Sequence, residues 1–163
     1  MSVLPKLVGE HPVYPDHGMF LLECESLEAI DSDFELDATH FVAFLITDFS
    51  VLTRDEIQAA AADLIQLGCR YLCAWGPSCR EAHLAFDLAC VEFHGGNYED
   101  GVIFTDDYSR CSDLSESIWT TLHVAHPEES YANETLATVA ICVNDSVSAR
   151  LVESKFRNQQ LSE

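Results

Sequence analysis

Continuous apolar runs alternate with stretches of helical spacing along most of the chain. Residues 41–46 are apolar at every position, and residues 69–75 are apolar at all positions but one. Runs of this length are typical of strands that are covered on both faces, as in a parallel sheet. Between them, a capping box formed by Thr53 and Glu56 predicts a helix that ends at Gly68. This part of the chain therefore predicts a strand, a helix and a second strand.

The same alternation continues after the second predicted strand. Ser78 and Glu81 have the spacing of a capping box, which predicts a helix from Cys79 to about Phe93. The remaining predicted elements are a strand at residues 102–104, a helix capped by Asp113, a strand at residues 135–143 and a helix that is capped by Asn144 or Asp145 and runs through Phe156. Strands and helices thus alternate to the end of the chain.

This alternation predicts an α/β fold. Connections of helix length between strands favour right-handed crossovers and parallel neighbours. We expect a three-layer sandwich, with a mainly parallel sheet of about four to five strands and helices on both faces, similar to Rossmann or flavodoxin-like folds. The predicted organisation is an extended N-terminal arm at residues 1–40 with a possible edge strand, a single α/β domain at residues 41–158 and a frayed tail at residues 159–163. Within the arm, residues 23–37 carry seven acids and predict a solvated loop or a frayed helix.

The charge balance narrows the choice of partners. The chain has 28 acidic residues against 8 Lys and Arg, which gives a formal net charge of -20. Nucleic acids and anionic membranes bind basic surfaces, so we expect neither as a partner. An acidic face can instead attract a basic protein partner, although acidity by itself also keeps a protein soluble. Both interpretations stay open at this stage, as does the oligomeric state.

Cysteine use indicates a reducing compartment. Seven cysteines, an odd number, are distributed over the predicted strands and helices, and none forms a Cys-x-x-Cys pair. This distribution is typical of buried thiols rather than of a disulfide framework or a zinc site. The sequence has no signal-peptide pattern and no apolar run that approaches about 18 residues. We therefore expect a cytoplasmic protein.

The stretch from Gly68 to Cys79 has the pattern Gly-Cys-x-Tyr-x-x-Ala-Trp-Gly-x-x-Cys. This pattern resembles the core of a small uncharacterised bacterial family, a domain of unknown function, and the resemblance extends over about residues 40–143. It implies no activity. The family tends to place Thr-Trp-His after the third strand, where this chain has Thr105-Asp106-Asp107. A site built on that Trp and His would therefore be absent here.

Aspartates follow several of the predicted strands. In an open parallel sheet, ligands bind at the carboxyl ends of the strands, and four carboxylates of this chain fall there. They are Asp48, Asp106, Asp107 and Asp145. Together they can hold a magnesium ion, the one cofactor that the sequence suggests. The alternative is that each aspartate only caps the helix that follows it.

Cys79 and His83 are the candidate catalytic pair. Cys79 lies in the first turn of its predicted helix, where backbone N–H groups favour a thiolate. His83 lies one turn later and is the local base that such a nucleophile requires. The alternative, which we favour, is that Cys79 packs beneath the turn beside Trp75. Cys90 and His94 repeat the same spacing, but a histidine at the end of a helix is explained by its favourable interaction with the carbonyl groups there.

Two hypotheses of function follow. The first is a small acidic binding or regulatory protein without catalytic activity, which recognises a basic protein in the manner of an immunity protein or inhibitor, or as a subunit of a bacterial complex. Its candidate contact residues are Trp75, Trp119, Asp106 and Asp107. The alternative is a metal-dependent or cysteine-dependent enzyme that acts at the carboxyl ends of the parallel strands. We favour the first, because the sequence contains no complete catalytic constellation.

Overall fold

The structure, a computed structural model, describes residues 4–30 and 34–158. Its strands are β1 (Lys6–Glu10), β2 (Gly18–Cys24), β3 (His40–Ile46), β4 (Cys69–Trp75), β5 (Phe104–Asp107) and β6 (Thr135–Val143). Its helices are α1 (Arg54–Gln66), α2 (Cys79–His94), α3 (Leu114–His123), α4 (Glu129–Ala132) and α5 (Ser146–Arg157), with short 3-10 helices at Leu27–Ile30 and Phe49–Val51. No helix in these residues combines the length and apolarity needed to cross a membrane. The tail predicted to fray, residues 159–163, lies outside the described residues.

Within the described part of the chain, six strands form one sheet in the order β1-β2-β6-β3-β4-β5. β1 is antiparallel to β2, and every other neighbouring pair is parallel. The predicted α/β class and mainly parallel sheet are confirmed, but the predicted count of four to five strands was too low. The β1-β2 hairpin supplies the difference, because β2 joins the parallel strands beside β6 and β1 covers the outer edge of β2. β1 gives only a weak signal in the sequence, because it has five residues and two of them are charged.

The core lies on both faces of β3, which is buried along nearly its whole length. Its side chains alternate, so that Phe41 packs in one apolar cluster and Phe44 packs in another. The first cluster contains residues of α1 and α2, and the second contains residues of α3 and α5. Helices thus cover both faces of the sheet. This double coverage explains why the apolar run of β3 shows no polar alternation.

Gly76, the residue after β4, packs closely against Thr47, the residue after β3. Its φ is 133°, and a Cβ placed on it would lie 1.8 Å from the carbonyl oxygen of Thr47. Only glycine fits such a position. Two backbone hydrogen bonds accompany this close approach, from Thr47 N to Trp75 O at 3.2 Å and from Phe49 N to Pro77 O at 2.9 Å. The turn after β4 is therefore packed against the turn after β3.

The starts of the helices test the local predictions directly. Thr53 and Glu56 form the predicted capping box, in which the Thr53 hydroxyl accepts from Glu56 N at 3.1 Å. At Ser78 the predicted capping box was wrong. α2 begins at Cys79 as expected, but the Ser78 side chain makes no capping hydrogen bond to the described residues. Its φ of 61° is left-handed, whereas a side-chain N-cap has extended backbone, and the tight turn out of β4 imposes this conformation.

The third strand was predicted too early in the chain. β5 spans Phe104–Asp107 rather than residues 102–104, so Asp106 and Asp107 lie within the strand and not after it. In the described sheet β5 pairs only with β4 and forms an outer edge. Polar side chains are tolerated on an edge strand, so an apolar run is a poor guide to its limits.

Candidate functional site

The strand order of the sheet reverses between β3 and β6. From β3 the chain proceeds outward through β4 to β5, and it then returns to place β6 on the other side of β3. Open parallel sheets bind ligands at the carboxyl ends of the strands beside such a reversal. Here the two strand ends are joined by the Thr47 hydroxyl, which donates to Val143 O at 3.1 Å. The carboxyl edge of the sheet is thus the candidate site.

His83, in the second turn of α2, connects this helix to β5. Its Nδ1 atom lies 2.8 Å from Oδ2 of Asp107, and its Nε2 atom lies 3.0 Å from the hydroxyl oxygen of Thr105. The Thr105 hydroxyl also donates to Asp87. A carboxylate only accepts, so Nδ1 donates to Asp107. Both ring nitrogens are therefore engaged, and the two contacts fix the orientation of the imidazole ring.

Asp107 is buried, with 7% of its surface exposed. Burial raises its pKa, but hydrogen bonds from Ser109 and His83 outweigh this effect and leave the pKa below its usual value. The Oδ1 atom of Asp107 accepts from the Ser109 backbone N–H at 3.1 Å. The adjacent Asp106 forms an ion pair with Arg110 at 3.1 Å. Each of the two neighbouring carboxylates therefore has a hydrogen-bond donor beside it.

Among the described residues, His83, Asp106 and Asp107 are the group that can offer three ligand atoms to a metal ion. One such atom from each residue lies within 4.8 Å of the other two. A cleft of about 490 Å³ adjoins His83 and Asp107, and Arg80 and Arg110 also border it. An imidazole with two carboxylates suits Mn²⁺ or Zn²⁺ better than Mg²⁺, which prefers oxygen ligands. The two arginines lower the local affinity for any cation.

The other two predicted metal ligands lie apart from this group. Asp48 caps the 3-10 helix Phe49–Val51 by accepting from Ser50 N at 3.0 Å. Asp145 caps α5 by accepting from Ser148 N, also at 3.0 Å. Both therefore act as helix caps. Of the four carboxylates, the structure brings together only the two on β5, within the described residues.

A second cleft, of about 370 Å³, lies at the carboxyl ends of β2 and β6. Three carboxylates border it, those of Glu23, Glu25 and Asp145. They meet because β2 and β6 run in parallel with Cys24 opposite Val143, so that the residues after both strands emerge side by side. The two glutamates belong to none of the sites predicted from the sequence. The sequence shows the run of acids that contains Glu23 and Glu25, but it does not show that β6 and Asp145 lie beside this run.

Cys79 lies at the start of α2 but is shielded from solvent. Only 4% of its surface is exposed, and burial, together with the charge of Asp107, raises the pKa of its thiol. Stabilisation of a thiolate by the helix N-terminus is thus outweighed. Both ring nitrogens of His83 are engaged by Asp107 and Thr105. The geometry therefore offers little to a cysteine nucleophile.

The two tryptophans differ in exposure. Trp75, the last residue of β4, is half-buried and packs against the apolar cluster beneath α3 and α5. Trp119, on α3, is 55% exposed and stacks on His123, with ring centres 4.4 Å apart and ring planes inclined by 14°. Trp119 is thus the tryptophan that presents an aromatic surface to solvent.

Comparison with known proteins gives the family of this chain. A profile of the family described as "Domain of unknown function (DUF7684)" matches residues 21–159. The chain belongs to this family. No curated protein and no solved structure matches it. The match confirms the expected membership in a family of unknown function, and the DUF7684 domain contains every candidate residue described above.

Proposed function

We propose that this DUF7684 protein is a non-catalytic binding protein that recognises a basic protein partner, in the manner of an immunity protein or inhibitor, or as a subunit of a larger complex. The observation that carries the proposal is the cleft bordered by Glu23, Glu25 and Asp145. Its described lining contains no basic side chain. A lysine or arginine head group of a partner would enter it and form charge-assisted hydrogen bonds.

The overall charge supports the same proposal. A net charge of -20 creates a long-range field that accelerates encounters with a basic protein, and salt screens this field. The strand order β5-β4-β3-β6 further supports a three-layer, Rossmann-like arrangement, in which the usual binding position is the point where the order reverses. The acidic cleft adjoins that point. Trp119, exposed on α3, is a candidate aromatic anchor for the same partner.

The test is affinity capture by the full chain from a lysate of its host, followed by mass spectrometry. Three baits are compared: the unaltered chain, a variant with Glu23→Gln, Glu25→Gln and Asp145→Asn, and a variant with Asp16→Asn, Glu99→Gln and Glu129→Gln. Both variants lose three charges, but the second loses them at exposed positions away from the cleft. Asn at position 145 retains the helix cap.

We expect a basic protein to be retained by the unaltered chain and by the second variant, and to be lost from the first. We also expect its recovery to fall between about 50 mM and about 500 mM NaCl, because salt screens the attraction. Equal recovery with both variants, or recovery that does not change with salt, would remove the proposal.

A second candidate function rests on the three converging ligand atoms of His83, Asp106 and Asp107. It is a metal-dependent enzyme that acts at the carboxyl end of β5. Calorimetric titration with Mg²⁺, Mn²⁺ and Zn²⁺ tests it, with Asp106→Asn as the altered site and Asp48→Asn as the matched control. Binding heat that disappears only in the Asp106 variant supports a metal site. An absence of heat with all three ions leaves this second function without a mechanism.

A further inference from the structure

We propose that the DUF7684 domain has a second ligand site, at the opposite edge of the sheet, that binds a small molecule through one oxyanion group. The site is a cleft of about 460 Å³ at the amino ends of β3 and β4. Arg70, His40 and His94 border it, and they come from β4, from β3 and from the end of α2. A cleft of this size lies within the range of small-molecule sites in proteins.

Arg70 is held firmly in this cleft. Its Nη1 atom donates to Ile65 O at 2.9 Å and to Cys69 O at 2.8 Å. Its guanidinium carbon lies 5.1 Å from the ring centre of Phe93 and 5.2 Å from that of Tyr131. Two aromatic rings and two carbonyl groups thus fix the orientation of the guanidinium group. Its Nε atom is buried and finds no hydrogen-bond partner in residues 4–30 and 34–158.

Two histidines in the same cleft also have an unpaired nitrogen. His94 is nine-tenths buried, and its Nε2 atom has no partner in the described part of the chain. The Nδ1 atom of His40 is likewise buried and unpaired there, since the nearest carboxylate oxygen, on Glu134, is 3.6 Å away and outside hydrogen-bond geometry. These two atoms and Arg70 Nε are the full set of such side-chain atoms among the described residues. The three residues that carry these atoms all border one cleft.

This coincidence points to a ligand that accepts hydrogen bonds. Buried polar atoms in folded proteins nearly always have a partner, because an unpaired one costs free energy. A carboxylate or phosphate group matches the donors of a guanidinium and carries the opposite charge. The net charge of the chain is -20, so an arginine held beside two aromatic rings in a cleft is the feature that indicates an anionic ligand at this site.

The rim of the cleft limits the charge of the ligand. Asp100 and Glu134 border it as well, and the Glu134 side chain is 63% exposed. These carboxylates disfavour nucleic acids and other polyanions, so the ligand is small and presents a single oxyanion to Arg70. Because the three nitrogens are themselves sheltered from solvent, we expect the Glu134 side chain to move aside when the ligand enters. Removing its charge should therefore strengthen binding.

Thermal unfolding and NMR titration test this site in the full chain, with inorganic phosphate and acetate as separate probes and NaCl at matched ionic strength as the control. Binding to the native state raises the unfolding temperature and shifts the ring resonances of His40 and His94. We expect Arg70→Gln and His94→Gln each to weaken binding about tenfold or more, and Glu134→Gln to strengthen it. A response to phosphate alone identifies a phosphate ligand, and a response to acetate identifies a carboxylate ligand.

The site does not exist if neither probe exceeds the effect of NaCl, or if the Arg70 and His94 variants respond as the unaltered chain does. The His94 and Glu134 variants keep the test decisive if Arg70→Gln fails to fold. The variant with Glu23→Gln, Glu25→Gln and Asp145→Asn should bind phosphate or acetate like the unaltered chain. Failure of this site is thereby distinguished from failure of the partner-binding proposal.

Discussion

The Nδ1 atom of His83 lies 2.8 Å from Oδ2 of Asp107, and this contact joins the second turn of α2 to the last residue of β5. In the described sheet β5 pairs only with β4, so the contact adds a side-chain connection to an edge strand of four residues. The same atoms belong to the candidate metal site. A substitution of either residue is therefore expected to lower the stability of the fold, whether or not a metal ion binds.

His83→Gln should destabilise the protein. The substitution removes a hydrogen bond to an ionised, buried carboxylate, and because His83 is itself partly exposed we expect a loss of about 1–2 kcal/mol in the free energy of unfolding. Urea unfolding measures it. His123→Gln on α3 is the control, since that ring is exposed and its contacts, a hydrogen bond to the Trp119 carbonyl and stacking on the Trp119 ring, stay within one helix and involve no carboxylate. Equal losses in both variants would show that the His83 contact has no special role.

The two helix starts predict opposite effects of substitution. Thr53→Ala removes a complete capping box and should cost about 1 kcal/mol in the free energy of unfolding. Ser78→Gly should instead stabilise the protein by up to about 1 kcal/mol, because Ser78 has left-handed backbone and its hydroxyl caps no described N–H. Urea unfolding of both variants checks the pair. A loss at Ser78 as large as that at Thr53 would mean that Ser78 caps the helix in solution.

Cysteine alkylation should follow burial. Cys111 is the one cysteine of the seven that is not buried, so iodoacetamide at neutral pH should modify it first in the native protein. Cys79 should react more slowly than a free thiol in solution, because burial raises its pKa and blocks access. Mass spectrometry of digested protein gives the rates, and Cys111→Ser removes the fast site. Faster modification of Cys79 than of a free thiol would contradict this prediction and would support the hypothesis of a cysteine-dependent enzyme.

Acid should destabilise the protein through His11. This residue is buried, and its Nδ1 atom accepts from the backbone N–H groups of Val13 and Tyr14 at 3.1 and 3.2 Å. Burial, with smaller contributions from three other histidines, lowers its pKa from 6.5 to about 4. The unfolded chain therefore binds a proton more readily than the folded one, and stability falls as the pH falls from about 6.5 to about 4.

We expect this loss to be on the order of 2 kcal/mol after allowance for solvent screening. The pKa values of His17 and His40 are also lowered, mainly by burial, and act in the same direction. Urea unfolding over this pH range measures the effect. His11→Asn, whose side-chain oxygen can accept the same two hydrogen bonds, should flatten the dependence. If the free energy of unfolding of that variant depends on pH as strongly as that of the unaltered chain, groups other than His11 cause the dependence.

Elements whose signals are local could be predicted from the sequence. The capping box at Thr53, the cap at Asp113 and the continuous apolar run of β3 depend on neighbours within a few positions, and the structure contains all three. Ser78 is a counterexample. Its spacing to Glu81 is that of a capping box, but the turn packed against Thr47 sets a left-handed backbone that the spacing cannot reveal.

By itself the sequence determined the α/β class, most helix and strand positions and the acidity, because periodicity, caps and charge are properties of short segments. Only the tertiary structure decided which side chains meet. Glu23 and Asp145 border one cleft because β2 pairs with β6 across more than a hundred intervening positions. Arg70 and His94 converge because α2 returns to the amino edge of the sheet. Strand order is a long-range property, and both proposed sites depend on it.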